Sequence, residues 1–165
     1  MEPIARRGEY TLYRCGIEDL EVLVQARVEV LRAVFALPEQ CDMEALAQAN
    51  RAYYIRFLPA GGHEACMIFR DGEMAACGGV CLYEEMPLPD NPTGRCGYLM
   101  NIYTRQAHRR RGLGAWVVEY LTGRARAYGA GRVFLDSSQQ GRALYAACGF
   151  VPMEDMMEQK GEGEG

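Results

Sequence analysis

The segment that decides the fold is NIYTRQAHRRRGLGA, residues 101–115. It begins with residues that favour strands, continues through a basic turn, and ends where apolar residues take up three- and four-residue spacing. This order predicts a strand, a turn and then a helix. Free N–H groups at a helix N-terminus bind phosphate oxygens, and Gly112 and Gly114 keep side chains away from a ligand. Three arginines precede these glycines, so the segment favours a site for a diphosphate group.

Other phosphate-binding motifs fit this segment less well. The sequence has no G-x-x-x-x-G-K-S/T, which argues against a nucleoside triphosphatase. A dinucleotide-binding G-x-G-x-x-G is incomplete, because Val117 stands where the third glycine would be. From this segment alone a plainer interpretation stays open, in which Arg109, Arg110 and Arg111 form a solvated turn and the glycines only ease packing.

Outward from this segment, the order of the predicted elements indicates an α/β (mixed α+β) fold with one mixed sheet flanked by helices. Asp71-Gly72 between two apolar runs is a strong hairpin signal. The full order is βααβββαβα(β), with a strand at 10–15, helices at 17–35 and 43–57, strands at 65–70, 73–83 and 96–104, a helix at 113–128, a strand at 132–137, a helix at 139–148 and a last strand beginning at 150–151.

The strand that enters the basic turn alternates in residue character. Because side chains on a strand point to opposite faces in turn, each face takes every second residue. One face is predicted to hold Tyr98, Met100, Ile102 and Thr104, and the other Leu99, Asn101 and Tyr103.

Length and charge restrict the function classes. A chain of 165 residues fits a single domain, 1–165, and the alternating Gly and Glu at its end predict a disordered tail over about 158–165. The net charge of -4 argues against nucleic acid as a partner. No apolar stretch approaches the roughly 18 residues of a membrane span, so a membrane partner is not expected either.

Cysteine and histidine usage bears on compartment and metal binding. The seven cysteines are scattered without a C-x-x-C pair, and the N-terminus has no apolar signal-peptide segment. Together these features predict reduced thiols and a cytoplasmic location. His63 and His108 are the only histidines, and neither lies in a cluster with metal-ligand spacing, so no metal is expected.

A second informative segment is GRALYAACGF, residues 141–150, which places a tyrosine shortly before a Gly-Phe pair. Together the two segments resemble the GNAT superfamily of acetyl-CoA-dependent N-acetyltransferases. The superfamily's pyrophosphate motif, Q/R-x-x-G-x-G/A, matches Arg109-x-x-Gly112-x-Gly114. The strand phrase NIYT and the opening GIEDL before a long helix are also similar to family members. The resemblance covers roughly residues 10–155.

The resemblance implies a GNAT-like central sheet and a binding site for acetyl-CoA. In that site the backbone of Ile102, Tyr103 and Thr104 would pair with the pantetheine arm as a further strand would. A backbone N–H near Ile102 would polarise the thioester carbonyl. The diphosphate would be held by the backbone N–H groups of Arg109, Arg110, Arg111, Gly112, Leu113, Gly114 and Ala115.

Tyr145 is the catalytic residue that the resemblance implies, acting on the sulfur of the departing CoA. The pKa of free tyrosine is near 10 and that of a simple thiol is about 8.5, so complete proton transfer is uphill by about 2 kcal/mol. We therefore expect Tyr145 to act mainly as a hydrogen-bond donor. Core packing against the cofactor is the alternative role.

The base that takes the proton of the attacking amine is the open question. Many GNAT enzymes carry a glutamate on the strand before the pyrophosphate turn, and residues 98–104 contain none. Glu84 or Glu85, at the end of the preceding strand, is the candidate, acting directly or through water; a purely solvated role is the alternative. The family's acceptor pocket would include Arg27, Tyr53, Tyr54 and Tyr83 together with these two glutamates.

The predicted function is transfer of an acetyl group from acetyl-CoA to a primary amine of a small molecule or protein. A non-catalytic acyl-CoA-binding sensor module is the alternative. The net negative charge of the chain argues against a nucleic-acid-binding role for the basic turn. Because the sequence ends soon after Gly149-Phe150, the resemblance implies either a short last strand or its supply by a second copy in a homodimer.

Overall fold

The computed structural model describes residues 1–153, 156, 157 and 159, and within them a six-stranded sheet runs in the order β1 to β6. The strands are β1 Glu2–Arg7, β2 Tyr10–Cys15, β3 His63–Arg70, β4 Glu73–Glu84, β5 Arg95–Thr104 and β6 Arg132–Leu135. The helices are α1 Leu20–Val34, α2 Glu44–Phe57, α3 Leu113–Tyr128 and α4 Arg142–Ala147, with short 3-10 turns at Ile17–Asp19 and Gln106–His108. All strand pairs are antiparallel except β5 with β6, which is parallel. The predicted mixed sheet with flanking helices is confirmed.

Strand β1 is the element that the sequence did not predict. Its residues, EPIARR, are all exposed and include a proline and charged side chains. Neither apolar alternation nor strand propensity therefore marks them. Backbone pairing with β2, across a turn in which Gly8 has a φ of +60°, creates the strand. The order of elements thus begins with two strands before α1.

The C-terminal end of the chain differs from the prediction of a last strand at 150–151. In the part that the structure describes, residues 150–153 form no strand. The Phe150 ring instead packs edge-on against Tyr145, with 6.2 Å between the ring centroids. The predicted disordered tail, 158–165, lies outside the described residues except for position 159.

The predicted Asp71-Gly72 hairpin forms between β3 and β4. The two residues have positive φ values of +50° and +81°, the backbone of a two-residue turn whose twist suits an antiparallel pair. Arg70 consequently pairs with Glu73 directly beside the turn.

Helices cover both faces of the sheet. Helix α3 packs on one face, where Val117 and Leu121 are fully buried against strand residues such as Ile68. Helices α1 and α2 cover the other face, where Val24 and Tyr54 lie in a second cluster of buried side chains. Among the described residues, no helix combines the length and the apolar character needed to cross a bilayer.

A β-bulge interrupts β5 and overturns the predicted alternation of its side chains. Met100 pairs with Gly79 and Tyr103 with Cys77, so two residues of β5 lie opposite the single residue Gly78. The extra residue changes which face the following side chains occupy. Ile102 therefore lies with Leu99 on the α3 face, whereas Tyr103 packs against the α1 and α2 face.

Candidate active site

The central feature of the site is a cleft between β5 and β6. Strand β6 pairs only with residues 96–99 of β5, and it ends at Leu135. Beyond that point the edge of β5 over residues 100–104 faces an opening instead of a strand. The cleft has a volume of about 180 Å³ and is walled by α1, β5, the segment after β6 and α4. Its lining includes the predicted residues Ile102 and Tyr145.

The bulge forms part of the wall of this cleft, since Asn101 and Ile102 both line it. Its residue Asn101 has a φ of +60°, a conformation that is uncommon for residues other than glycine and tends to mark functional sites. Two side chains hold it: Arg27 Nη1 donates to Asn101 Oδ1 at 3.0 Å, and the Cys77 thiol donates to the Asn101 carbonyl at 3.7 Å. The structure thus fixes the backbone beside Ile102, where the resemblance places the thioester.

The basic turn follows directly from β5 and leads into α3. Gly112 caps the helix with a φ of +76° and Arg110 has a φ of +58°. In the described part of the chain, the N–H groups of Arg110, Arg111 and Gly112 donate to no protein acceptor. The first turn of α3 adds the free N–H groups of every helix start. These free donors at the start of α3 give a positively polarised backbone suited to a diphosphate.

The side chains of the turn are divided between solvent and protein. Arg110 and Arg111 are exposed, whereas the Leu113 side chain is buried in the core, so only its N–H is available to a ligand. Arg109 is also exposed, but its Nε donates to the Thr104 carbonyl at 3.1 Å. Gly114 lies close to α4, and a Cβ there would be 3.1 Å from the end of the Leu144 side chain, a tight contact that a small shift of Leu144 would relieve.

Two contacts fix the turn to the rest of the fold. The buried His108 is hydrogen-bonded through Nδ1 to the Tyr10 hydroxyl of β2 at 3.0 Å. Arg105 donates to both carboxylate oxygens of Glu29 on α1, at 2.7 and 2.6 Å. The turn is therefore held by the sheet on one side and by α1 on the other, before any ligand binds.

Tyr145, the catalytic residue that the resemblance implies, lies on α4 and lines the cleft. Its ring is half-buried, and burial raises the pKa of its hydroxyl above the ordinary value. A raised pKa makes proton transfer to a thiolate less favourable and keeps the hydroxyl a hydrogen-bond donor. This direction agrees with the donor role expected for Tyr145.

Asp136 lines the same cleft, although the sequence did not predict it as a site residue. It follows the last residue of β6, and its Oδ2 accepts a hydrogen bond of 2.5 Å from the Tyr98 hydroxyl. A carboxylate directly after a strand parallel to β5 is a signal that could have found it, because such strand ends meet at one edge of the sheet. Asp136 is the carboxylate that the structure brings beside Tyr145 and Ile102.

Glu84 and Glu85, the bases considered from the sequence, lie elsewhere. Glu84 pairs with Arg95 at the beginning of β5, with 3.2 Å between Glu84 Oε1 and Arg95 Nε. Glu85 Oε1 is 3.6 Å from Nη1 of Arg132 at the beginning of β6. Asn101 is six residues further along β5, about 20 Å at the usual strand rise. The structure therefore does not bring these two glutamates to the cleft.

The other residues of the expected acceptor pocket are also separated. Arg27 lines the cleft. Tyr53 is half-buried next to His63 and Cys81. Its hydroxyl lies 3.1 Å from His63 Nδ1 and 3.0 Å from Cys81 Sγ. Tyr54 is buried in the core under α2, and Tyr83 lies at the Glu84 end of β4.

His63 is the other buried imidazole, and its surroundings remove it as a strong base. Burial, reinforced by the positive charge of Arg27, lowers the pKa of His63 to about 4. The imidazole is therefore neutral near pH 7 and a poor proton acceptor.

Comparison with known proteins supports the resemblance seen in the sequence. The family model of the acetyltransferase (GNAT) family matches residues 31–150. Glucosamine 6-phosphate N-acetyltransferase 1 of Oryza sativa subsp. japonica is 30% identical over 153 residues, covering 91% of this chain and 88% of the rice protein.

Solved structures show the same fold. A predicted acetyltransferase of Clostridium acetobutylicum, solved with acetyl-CoA, has a TM-score of 0.82 at 20% identity, over 92% of this chain and 96% of the other. Glucosamine-6-phosphate N-acetyltransferase of Arabidopsis thaliana has a TM-score of 0.68 at 20% identity, over 93% and 99% of the two chains. With the family model, the rice relative and the fold in agreement, this chain belongs to the GNAT family of N-acetyltransferases.

Proposed function

We propose that this chain binds acetyl-CoA along the open edge of β5 and transfers the acetyl group to a primary amine that enters the cleft beside α1. The observation that carries the proposal is that the open edge of β5 and the basic turn adjoin each other and form one continuous site. The unpaired edge of β5 leads directly into a turn in which the N–H groups of Arg110, Arg111 and Gly112 have no acceptor among the described residues. We further propose that residues 1–165 form a single domain. We also propose a cytoplasmic location, because the seven free cysteines suit a reducing compartment.

The residues present fit acetyl-CoA. The free N–H groups from Arg110 to Ala115 would bind the diphosphate, whereas the N–H of Arg109 already donates to the Gln106 carbonyl at 3.3 Å. The main chain of Ile102, Tyr103 and Thr104 would pair with the pantetheine arm. When bound, acetyl-CoA supplies an activated thioester carbonyl. A backbone N–H at the Asn101 bulge, near Ile102, would face that carbonyl and stabilise negative charge on its oxygen.

Asp136 would act as the proton acceptor and Tyr145 as a hydrogen-bond donor. The Asp136 carboxylate accepts the proton that the acceptor nitrogen loses as its bond to the acetyl carbon forms. The Tyr145 hydroxyl donates a hydrogen bond to the sulfur as the carbon–sulfur bond breaks. We assign the base to Asp136, and not to Glu84 or Glu85, because Asp136 lines the cleft. Glu84 instead pairs with Arg95 at the beginning of β5, and Glu85 with Arg132 at the beginning of β6.

The size of the cleft favours a small acceptor. A volume of about 180 Å³ suits a small molecule and leaves little room for folded protein. Amino sugars belong in the first acceptor panel, because the rice relative is a glucosamine 6-phosphate N-acetyltransferase.

The cofactor site is tested by thermal unfolding with and without acetyl-CoA. Ligand at 100 times its Kd should stabilise the protein by about 2.7 kcal/mol, and Gly112→Glu should abolish the shift by placing a carboxylate where the diphosphate binds. Gly61→Glu is the matched control, because Gly61 also has a positive φ, +71°, with no atom within 4 Å of an added Cβ. No shift in the native protein at millimolar acetyl-CoA would contradict the proposal.

The transfer itself is tested by release of free CoA thiol over a panel of amines. Asp136→Asn should lower kcat about 100-fold or more, the usual contribution of a general base, while the acetyl-CoA-induced thermal shift persists. Glu84→Gln should leave kcat unchanged. Acetyl-CoA binding without thiol release for any amine would instead support the acyl-CoA sensor, and equal activity of native and Asp136→Asn protein would remove Asp136 as the base.

A further inference from the structure

The guanidinium of Arg27 lies in the cleft wall without an anionic partner. Its Nη1 donates to Asn101 Oδ1 at 3.0 Å and its Nε donates to Asn50 Oδ1 at 3.3 Å. Both acceptors are neutral amides. Among the described residues, no carboxylate oxygen lies within 4.0 Å of Arg27. Because Arg27 is half-buried between two helices and the sheet, water solvates its charge less than it solvates a surface arginine.

The groups around Arg27 do not supply the missing negative charge. Burial raises the pKa of the Tyr53 hydroxyl and of the Cys81 thiol, so both are neutral near pH 7. Burial also lowers the pKa of His63, which leaves that imidazole uncharged. Glu29, two residues along α1, is already bound by Arg105 through both carboxylate oxygens.

Among the described residues, Asp136 is the only carboxylate that lines the cleft. It accepts a hydrogen bond from Tyr98 and lies beyond ion-pair distance of Arg27. The cleft therefore has a positive group on its α1 wall and a negative group on its β6 wall. A cation and an anion held apart in this way match a ligand with the opposite pair of charges.

We infer that Arg27 binds an anionic group, a carboxylate or a phosphate, of the acceptor amine while Asp136 receives its amino group. The inference rests on the proposed function and narrows its acceptor to amines that carry a negative charge. Arg27 suits this task because its planar guanidinium presents several N–H donors, and the two amide contacts occupy only some of them. Asn50 and Asn101 then fix the guanidinium in the orientation that faces the cleft.

The competing role is structural, because Arg27 also holds Asn101 and so the bulge. The two roles differ in what they do to different acceptors. Loss of a purely structural arginine disturbs the thioester end and lowers kcat for every amine alike. Loss of an anion-binding arginine raises KM for anionic acceptors and spares neutral ones.

The test compares acceptors in matched pairs that differ in one anionic group. Glucosamine 6-phosphate with glucosamine probes a phosphate, and leucine with leucinamide probes a carboxylate. For each pair the ratio of kcat/KM is measured in native protein and in Arg27→Gln, so that intrinsic differences in amine reactivity cancel. Arg56→Gln is the matched control, because Arg56 is exposed on α2 and stacks on Phe57 away from the cleft.

Arg27→Gln should lower kcat/KM for the anionic member of at least one pair by about 10- to 100-fold, mainly through KM, the size expected for a charge-assisted hydrogen bond. The neutral member of that pair should lose less than its anionic partner, because any loosening of the Asn101 bulge affects both members alike. Arg27→Lys should restore part of the charge-dependent loss. The pair that responds identifies the anion as phosphate or carboxylate. Equal losses for both members of each pair, or no loss at all, would overturn the inference.

A binding measurement keeps this result separate from the proposed function. Calorimetric titration of the same four amines in the presence of CoA reports acceptor binding without turnover. Tighter binding of an anionic amine that disappears in Arg27→Gln would support the inference even if no thiol is released, in which case the proposed transfer fails alone. Turnover of neutral amines with no difference between Arg27→Gln and native protein in either assay would leave the transfer intact and refute the role of Arg27.

Discussion

The hydroxyl of Tyr10 and Nδ1 of His108 lie 3.0 Å apart, although 98 residues separate them in the sequence. Tyr10 belongs to β2, and His108 ends the 3-10 turn that precedes the basic loop. Both side chains are buried, and their rings meet edge to face with 5.7 Å between centroids. Through this pair the second strand of the sheet supports the loop that we propose binds the diphosphate.

Tyr10→Phe should therefore destabilise the protein and weaken acetyl-CoA binding. The substitution leaves a buried imidazole nitrogen without its partner, which costs about 1–3 kcal/mol. Denaturant unfolding gives the stability, and calorimetry gives the affinity. Tyr13→Phe on the same strand is the control, since its hydroxyl makes no hydrogen bond within the described residues, and it should stay within about 0.5 kcal/mol of the native protein. Similar losses from both substitutions would show that the Tyr10–His108 contact has no special effect.

Gly78→Ala should be strongly destabilising. A Cβ at this position would lie 2.5 Å from Val117, 2.8 Å from Ile102 and 2.9 Å from Leu121. Overpacking of this kind costs about 1–3 kcal/mol, and it would press on the bulge opposite Gly78. The control is Gly123→Ala in the middle of α3, where an added Cβ meets nothing within 4 Å. That change should stabilise the protein by up to about 1 kcal/mol, because alanine favours a helix. Denaturant unfolding of both variants tests whether position 78 lacks the space for any side chain larger than that of glycine.

Tyr145→Phe should lower kcat without weakening acetyl-CoA binding. Loss of one hydrogen bond to the developing thiolate should reduce kcat by about 10- to 100-fold. Burial raises the pKa of Tyr145, so its hydroxyl stays protonated through pH 9, and the ratio of native to variant kcat should be constant from pH 6 to 9. A ratio that falls steeply within this range would mean that Tyr145 ionises there and acts as an acid in equilibrium with solvent.

The buried His63 should make stability depend on pH. Its pKa is about 4 in the folded protein, whereas an unfolded histidine titrates near 6.5. Between these values the unfolded chain binds more protons, so stability is complete above pH 6.5 and is lost as the pH falls toward 4, by at most about 3 kcal/mol. Denaturant unfolding at pH 4.5, 5.5, 6.5 and 7.5 should show this slope in native protein and a shallower one in His63→Gln. Parallel slopes would contradict a neutral, buried His63.

Local signals in the sequence predicted most of the fold. The Asp71-Gly72 turn and the glycines at 112 and 129 each require a particular backbone, and each lies where the sequence placed it. Strand β1 could not be found in this way, because its exposed residues carry no apolar pattern and depend on pairing with β2.

The bulge and the Asp136 carboxylate were missed for a related reason. Whether β5 accommodates an extra residue depends on Gly78 in the neighbouring strand and on Arg27 in a helix, neither of which is local to Asn101. Asp136 becomes part of the site only because β6 ends early beside β5. The sequence therefore pointed to the turn and to Tyr145. Which other residues line the cleft depends on how whole strands pair, and this could not be predicted from local sequence.

The open side of β5 has a consequence for the behaviour of the protein in concentrated solution. An unpaired strand edge is a template on which strands of other molecules can add, which leads to aggregation. Here the edge lies at the bottom of a cleft, with α1 on one side and Tyr145 of α4 on the other. A second polypeptide strand would have to fit its side chains between these walls before it could pair with the same backbone groups. The walls that shape the site therefore also shield this strand edge from strands of other molecules.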